Sequence, residues 1–473
     1  MIPQAVLRQR PAVDGKGRNM RRRGVRTILA AVTAVFALAG AATAETLADA
    51  LISAYKTSNI IEQNRAVLRA ADEDVASAVA ALRPALSFIA NGDYSDPVSP
   101  GTNNLSGSIA LSAQMTLYDS GRNRIAVDIA KETVLATREA LVGVEQNILQ
   151  NAVEAYFGVR SATENVSINQ NSVRVLGENL RATQDQFDVG EVTRTDVALS
   201  EARLAGARAA LAAAEGQLAA ARELYKAVTG HYPGPLAVAP KTPPLPRSVA
   251  EARAIAQRSH PSILQAQHLV AASDLGVTYA AAQRLPSLTG SASVARSDSG
   301  QDVSRLGINL TQPIYAGGKL SSVHRKAIAQ RDQARAGLHQ AAVLIDQGVG
   351  SAWAQIEVTR AQISASAREV EAAQIAYDGV REEAKLGART TLDVLDAEQS
   401  LLDARASRIT AEADYQTATY SLLATMGLLT AEHLNLGVPV YDPAGYYNAV
   451  KSAPVTSVRG KSLDRVLEAI GRN

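Results

Sequence analysis

The sequence predicts an α+β membrane protein built from two repeats, and three observations support this fold class. Matching segments recur 197 residues apart, four short segments alternate apolar and polar residues, and two stretches of 70 residues, 119–188 and 316–385, are compatible with unbroken helix. At 1.5 Å per residue, such a helix measures on the order of 105 Å, far beyond the helices of globular proteins. We therefore expect very long helices joined to a small set of strands.

The first 44 residues are predicted to be a signal peptide with a short N-terminal extension. A basic segment follows Met20, an apolar stretch of 14 residues comes next, and Ala42-Thr43-Ala44 fits a cleavage signal. A membrane anchor is the alternative, but a spanning helix needs about 20 apolar residues. Removing the 8 basic residues and 1 acidic residue of this segment leaves 40 and 45, a net charge of −5 instead of +2. The basicity of the full chain therefore does not indicate nucleic-acid binding.

Positions that match between the repeats keep the same spacing. LYDSGR at 117–122 matches IYAGGK at 314–319, and the turns around Gly190 and Gly387 are identical at 8 of 22 aligned positions. Each repeat is expected to run helix, strand, strand, very long helix, turn, helix. The predicted units are an N-terminal segment 1–44, a first repeat 45–232, a proline-rich linker 233–247, a second repeat 248–440 and a tail 441–473 that either wraps around the helical part or is disordered.

The helix after the first turn carries a coiled-coil pattern. Half of the residues from 198 to 221 are alanine, and apolar residues recur every seventh position at Val197, Leu204, Leu211, Leu218 and Tyr225. Sevenfold apolar spacing with small neighbours is typical of closely packed helix pairs.

The four alternating segments are predicted to be β-strands with one apolar face. They contain Leu86 and Phe88; Leu105, Ile109, Leu111 and Met115; Leu288 and Val294; and Leu306, Ile308, Leu310 and Ile314. About 11 residues of alternation are typical of a transmembrane strand, although a strand on a soluble sheet has a similar pattern. Four strands cannot close a barrel, since closed barrels begin at about eight, and lipid does not tolerate an open edge. If these strands span a membrane, several chains must share one barrel.

Other kinds of site find little support. The chain has no cysteine, which excludes disulfides, thiolate metal sites and cysteine nucleophiles. Its six histidines include no pair at the spacing of a helical metal site, and the sequence has neither G-x-S-x-G nor a phosphate-cradling glycine loop. We therefore expect no enzymatic activity, no metal and no cofactor.

The repeats, the LYDSGR and IYAGGK junctions and the turns VGEVTRTDV and LGARTTLDVLDAEQSLLDA resemble the TolC family of outer-membrane efflux proteins. The resemblance covers nearly all of 45–440 and implies a homotrimer with a 12-stranded barrel, four strands from each chain, and a long α-helical periplasmic tunnel. It implies an exit duct in outer-membrane lipid that works with a periplasmic adaptor and an inner-membrane pump of RND, MFS or ABC type.

The cargo stays open between drugs or other toxic small molecules and proteins exported by type I secretion. An alternative of another class is a periplasmic coiled-coil adaptor or structural protein. It would explain the helices but not the four alternating segments.

Each turn is predicted to end one helix with a left-handed glycine and to start the next with a Thr-x-x-Asp cap. These residues are Gly190 with Thr193 and Asp196, and Gly387 with Thr390 and Asp393. In the family the turns lie at the tunnel's periplasmic end. An adaptor would dock there on small or apolar residues, namely Gly190, Val192, Gly387 and Ala388.

Asp396 has no such capping role, because its counterpart in the first repeat is Leu199. By resemblance, Asp393 and Asp396 match the acidic ring at the closed tunnel entrance. Six carboxylates around a trimer axis would raise some of their pKa values and attract cations. An exposed solubilising face is the rival explanation.

The resemblance also implies contacts that hold the entrance shut. Arg389 would link the second hairpin to Thr195 of the neighbouring one. In the family, the residue equivalent to Asp196 faces a tyrosine, but this chain has Ala384 at that position. That link is therefore missing or replaced.

Overall fold

The computed structural model describes residues 44–94, 105–298, 300–439, 441–453 and Arg465. The predicted signal peptide and its cleavage site therefore lie outside the described residues, except for Ala44. The same order of elements occurs twice. The first set is α1 (Leu47–Thr57), α2 (Asn59–Ala80), β1 (Ala85–Tyr94), β2 (Leu105–Tyr118), α3 (Arg122–Asp188) and α4 (Arg194–Thr229). The second set is α5 (Val249–Ser259), α6 (Pro261–Ala282), β3 (Ser287–Ser297), β4 (Asp302–Thr311), α7 (Lys319–Lys385) and α8 (Thr391–Thr425), followed by α9 (Pro443–Val450).

The two long helices, α3 and α7, are unbroken and contain 67 residues each. Each is about 100 Å long at 1.5 Å per residue, which confirms the length expected from the sequence. They begin three residues later than expected, because Gly121 and Gly318 adopt left-handed conformations with φ of 82° and 86°. Among the helices of the described residues, none combines the length and the apolar character that crossing a membrane requires.

The four strands form one antiparallel sheet in the order β1-β2-β3-β4, so the pairing of β2 with β3 joins the two repeats. Cross-strand partners place the apolar residues on one face: Phe88 lies opposite Leu111, which lies opposite Val294. This apolar face is exposed in the single chain, where Leu306 is 88% exposed.

One residue predicted to continue the last strand does not belong to it. Strand β4 ends at Thr311, and Ile314 lies outside it. The reason is local, because Pro313 has no N–H with which to continue the ladder.

The main apolar core lies near the middle of the long helices. Tyr156 and Tyr225 are fully buried there. The Tyr156 hydroxyl donates to the carbonyl oxygens of Glu45 and Ala237, at 3.2 and 3.0 Å, and the Tyr225 hydroxyl donates to Glu45 Oε1 at 2.5 Å. Glu45 also forms a parallel bridge with Leu236. The proline-rich linker is therefore packed against this core together with the start of the described chain.

The C-terminal segment packs on α2 and α3. Tyr441 and Tyr447 contact a small apolar cluster that contains Leu68 and Val134, and the Arg138 guanidinium lies 5.3 Å from the centre of the Tyr447 ring. Of the two expectations for the tail, residues 441–453 fit packing against the helices, and the remainder of the tail, apart from Arg465, lies outside the described residues.

We expect Gly427→Ala to destabilise the fold more than a typical glycine replacement. Gly427 has a φ of 78°, and a Cβ there would lie 2.8 Å from the Cα of His260 and 2.8 Å from the carbonyl oxygen of Ser259. The backbone conformation costs about 1–2 kcal/mol for alanine, and displacing packed backbone adds roughly 1–3 kcal/mol.

The control is Gly437→Ala, because Gly437 has a φ of 65° and open space around its Cβ position. Circular dichroism of the detergent-solubilised protein would give the unfolding midpoints. Equal losses in the two variants would contradict the packing argument.

Candidate functional site

The candidate site lies at the turns that join α3 to α4 and α7 to α8, at the ends of the long helices α3 and α7 that are far from the sheet. Both turns have the same hydrogen bonds. In the first, Gly190 N–H donates to Phe187 and Glu191 N–H to Gln186; in the second, Gly387 N–H donates to Ala384 and Ala388 N–H to Glu383, all at 2.9–3.0 Å. Gly190 and Gly387 have φ of 81° and 76°. Both are therefore left-handed helix ends of the Schellman type, as predicted.

The next helix begins each time with a reciprocal cap. Asp196 Oδ2 accepts the Thr193 N–H at 2.9 Å, and Asp393 Oδ2 accepts the Thr390 N–H at 2.9 Å. The threonine hydroxyls contact the same carboxylates. The predicted capping by these four residues is confirmed.

The caps also determine the electrostatics of the two aspartates. Hydrogen bonds from the Thr193 hydroxyl and backbone hold the pKa of Asp196 below its usual value. Those from the Thr390 backbone and hydroxyl do the same for the pKa of Asp393. In the single chain, the pKa of Asp393 is therefore shifted in the opposite direction to that expected from a crowded ring of carboxylates, because these donors stabilise the ionised form.

Asp396 does not take part in the helix cap, but in the single chain it has a partner on the first hairpin. Its Oδ1 accepts a hydrogen bond from Arg203 Nη2 of α4 at 2.6 Å. The Asp396 side chain is 58% exposed, and the Arg203 side chain is 39% exposed. Asp396 thus connects the second hairpin to the first within one chain.

Arg389 has a partner within its own hairpin. Its Nε donates to Glu383 Oε2 at 2.8 Å, and both side chains are about half exposed. Thr195 is exposed on the first hairpin, and the described contacts of the single chain do not bring it to Arg389. A link between these two residues stays a prediction about the assembled protein.

Two further residues of α8 face the first hairpin and were not identified from the sequence. Leu395 is 2% exposed and packs in one apolar cluster with Leu176 and Leu204. Glu398 is 5% exposed, and its Oε2 accepts a hydrogen bond from Asn179 Nδ2 at 3.4 Å. The sequence signal for Glu398 was its position three residues after the apolar Leu395, because residues three apart share a helix face.

Burial has a clear electrostatic effect on Glu398, since it raises the pKa of this carboxyl to about 7. On the adjoining α7, burial and then the nearby Glu398 carboxylate raise the pKa of Tyr377. A titratable carboxyl therefore lies where α8 packs against its neighbouring helices.

The turns also present apolar surface. Val189 and Leu386, which directly precede the two glycines, are 73% and 86% exposed. Gly190, Gly387 and Ala388 are exposed beside them, and Val192 is half-buried. The structure therefore brings the four predicted contact residues to the tips and adds two apolar side chains to them.

The sequence profile of the outer membrane efflux protein family matches residues 50–231 and 253–428. The chain belongs to the outer membrane efflux protein family. It is 38% identical over 421 residues to the outer membrane efflux protein BepC of Brucella suis biovar 1, covering 87% of this chain and 91% of BepC. It is 26% identical over 423 residues to the outer membrane protein TolC of Vibrio cholerae, covering 85% of this chain and 96% of TolC. The resemblance to the TolC family is thus confirmed.

Solved structures of outer-membrane channels share the fold of this family member. VceC of Vibrio cholerae matches with a TM-score of 0.69 and 22% identity, over 80% of this chain and 96% of VceC. The open state of the Neisseria gonorrhoeae MtrE channel matches with a TM-score of 0.68 and 21% identity, over 80% of this chain and 88% of MtrE.

Family membership settles the general class. The chain is an outer-membrane efflux channel protein and not an enzyme, and the alternative of a periplasmic coiled-coil adaptor is not supported. The described residues contain no group of three or more histidine, aspartate or glutamate side chains placed to hold a metal ion.

The buried Glu398 predicts a pH dependence of hairpin packing in this efflux protein. Packing raises its pKa above the ordinary 4.5 to about 7, so the packed state retains the proton more tightly than the separated state. The contribution of Glu398 to packing is therefore fully present below pH 4.5 and is lost as the pH rises through 7. The difference is on the order of 2–3 kcal/mol, which corresponds to a change of roughly 30- to 150-fold in the ratio of separated to packed hairpins.

We expect channel conductance in planar bilayers to increase from pH 5.5 to pH 8 and Glu398→Gln to reduce this increase, because glutamine stays neutral. Glu412→Gln is the matched control, since Glu412 lies on α8 in an exposed pair with Arg408. If both variants keep the full pH response of the unaltered channel, Glu398 is not the residue that makes the conductance depend on pH.

Proposed function

We propose that this family member is the outer-membrane exit duct of a tripartite export system, passively conducting drugs or toxic small molecules from an inner-membrane pump to the outside. The observation that carries the proposal is the pair of capped turns at the ends of two helices about 100 Å long, opposite the sheet. Such hairpins are long enough to reach far into the periplasm, where a pump and an adaptor can meet them. The relative BepC, named an outer membrane efflux protein, supports this assignment.

The proposed duct is a homotrimer. The described part of one chain contains four strands. Their apolar face is exposed, and the edge strands β1 and β4 are each paired on one side. Because lipid does not tolerate unpaired edges, three chains would close these edges into a shared 12-stranded barrel in outer-membrane lipid.

The proposed entrance is formed by the hairpin tips and can close. Asp393 and Asp396 would line it and attract cations, and Arg389 would reach Thr195 or Asp196 of a neighbouring hairpin when the entrance is shut. The MtrE channel, which shares the fold, was solved in an open state, and this supports an entrance with more than one state.

The proposed partner at the tips is a periplasmic adaptor. Val189 and Leu386 expose apolar side chains next to Gly190, Val192, Gly387 and Ala388. Apolar patches next to small residues allow a partner's helices to approach closely. Through the adaptor, the duct would connect to an inner-membrane pump of RND, MFS or ABC type.

Protein export by type I secretion is the second candidate. The chain is 28% identical over 353 residues to the alkaline protease secretion protein AprF of Pseudomonas aeruginosa, covering 69% of this chain and 70% of AprF. The same duct would serve either cargo, because the cargo is selected mainly at the inner-membrane pump.

We expect the purified protein to form a small, cation-selective conductance in planar lipid bilayers that multivalent cations block from the periplasmic side. In the variant Asp393→Ala plus Asp396→Ala, the block should weaken at least tenfold, because the carboxylates that attract the cation are gone. Titration of the current with a trivalent cation would measure this change.

The matched control is Asp414→Ala, which removes one exposed carboxylate 18 residues beyond Asp396 on α8, about 27 Å further from the tip. A pore whose block responds equally to both changes would show that the constriction lies elsewhere. A trimer that never conducts, even with Arg389→Ala, would exclude the duct.

A further inference from the structure

Charged side chains are rare on the strands, and they are divided between the two faces of the sheet. The four described strands contain four charged residues, namely Asp93, Arg296, Asp302 and Arg305. Because successive side chains of a strand point to opposite faces, the strand register assigns each of them to one face. Arg296 and Asp302 belong to the apolar face, whereas Asp93 and Arg305 belong to the opposite face.

This opposite face, which we call the polar face, consists mainly of small, uncharged residues. In the row of cross-strand neighbours that contains Arg305, the other residues are Ser293, Ser112 and Ser87. The two rows on either side of it contain alanine, glycine, serine, glutamine, isoleucine and valine. Arg305 is exposed. Its guanidinium therefore extends from a row of hydroxyl groups that is otherwise without charge.

Within the part of the chain that the structure describes, no carboxylate compensates the charge of Arg305. Asp302 Oδ1 instead lies 3.7 Å from Arg296 Nε on the apolar face. Asp93 shares the polar face, but it lies six residues beyond Ser87 on β1, so at least about 20 Å from the row of Arg305. This distance is more than twice the Debye length of about 8 Å at physiological ionic strength. The Arg305 guanidinium is therefore available to an external anion.

We propose that Arg305 binds anionic groups of the cargo, such as carboxylate, sulfate or phosphate, inside the outer-membrane part of the duct. This inference rests on the proposed function, because it needs a trimeric barrel. In a membrane barrel the apolar face contacts lipid and the polar face lines the interior. Threefold symmetry then places three copies of the Arg305 guanidinium at one level of the lumen.

The chemistry of the guanidinium identifies the ligand class. It is planar and permanently charged, and its fork of N–H donors matches the oxygens of carboxylate and phosphate groups. In pores, rings of arginine or lysine favour anions, as rings of aspartate or glutamate favour cations. The hydroxyls of the neighbouring serines provide further donors to an anion that is already held by Arg305.

The level of Arg305 is far from the helical turns. Arg305 lies six residues, about 20 Å, from Thr311 at the end of β4, and α7 extends roughly 100 Å further to its turn. Charges so far apart do not influence each other at physiological ionic strength. The proposed acidic entrance and the Arg305 ring therefore act independently. Cargo would meet an entrance that attracts cations first and a ring that binds anions near the exit.

The first test measures ion selectivity of the full-length protein in planar bilayers. Asp393→Ala plus Asp396→Ala serves as the background, so that the entrance carboxylates do not dominate the selectivity. The reversal potential in a salt gradient gives the permeability ratio of cations to anions. In this background Arg305→Gln should raise the ratio by about 1.4- to 5-fold, the range of an exposed charge pair. Arg305→Lys should leave the ratio nearly unchanged, because lysine keeps the charge.

The matched control is Arg296→Gln. Arg296 lies on the adjacent strand β3, but on the apolar face, where it pairs with Asp302. Its replacement should leave the permeability ratio unchanged, because its charge is outside the lumen. An unchanged ratio in Arg305→Gln, or an equal change in both variants, would overturn the inference.

A polymer tests binding of the anionic group itself. Dextran sulfate added on the barrel side should interrupt the current of the unaltered protein for longer than uncharged dextran of equal length. Arg305→Gln should shorten the interruptions by about 1.4- to 5-fold for each guanidinium that the polymer contacts. If dextran sulfate interrupts both proteins for equal times, Arg305 does not bind its sulfate groups.

Chemical modification covers the case in which these variants fold poorly, because it changes the charge of a protein that is already folded. The chain has no cysteine, so a water-soluble thiosulfonate reagent labels Arg305→Cys selectively. A trimethylammonium reagent should restore the interruptions by dextran sulfate, and a sulfonate reagent should abolish them. If Arg296→Cys is labelled from the lumen and Arg305→Cys is not, the inference is wrong. Failure of the unaltered protein to conduct would instead overturn the proposed function, which keeps the two failures distinguishable.

Discussion

The equal length of the two long helices is the constraint on which the rest of the structure depends. Helices α3 and α7 both start beside the sheet and both contain 67 residues. Left-handed glycines stand at corresponding positions before and after each helix. One extra residue in either helix would move its tip by 1.5 Å and rotate it by about 100° relative to its neighbour. Because the lengths agree, the two turns lie at the same level, and residues of α8 meet the first hairpin in a single registration.

Each turn is held firmly by its own hydrogen bonds, whereas the two hairpins are held to each other by weaker contacts. Each turn satisfies its helix ends through its own backbone and through a threonine and aspartate pair, so each hairpin keeps its shape when it moves. The contacts between the hairpins are different in kind, namely a small leucine cluster, one exposed ion pair and one buried carboxyl. Such contacts can break without unfolding a helix. In the proposed duct, this division would allow the hairpins to move as rigid bodies when the entrance opens.

Features that depend on neighbouring residues could be predicted from the sequence, whereas features that depend on the mutual rotation of helices could not. The unbroken helices, the alternating strands and the capped turns around Gly190 and Gly387 are local patterns. The role of Ile314 was predicted wrongly, although Pro313 beside it contains the reason. The pairing of Asp396 with Arg203 joins residues 193 positions apart. It depends on which face of α4 meets α8, and no periodicity in the sequence records that angle. The burial of Glu398 left one sequence signal, its position three residues after the apolar Leu395, but that spacing alone does not predict burial, because glutamate is mostly exposed in proteins.

A buried carboxyl next to a contact that must break is a reasonable compromise between closure and opening. A leucine at position 398 would pack more favourably, because burial penalises the ionised form of the Glu398 carboxyl and so raises its pKa. It would also extend the apolar cluster of Leu395 and make separation of the hairpins more costly. Glu398 instead limits the stability of the packed hairpins at neutral pH, and the nearby ion pair of Asp396 adds specificity of registration without adding much stability. The packing of the two hairpins is thereby well defined in geometry but only moderately stable, which suits the closable entrance of the proposed duct.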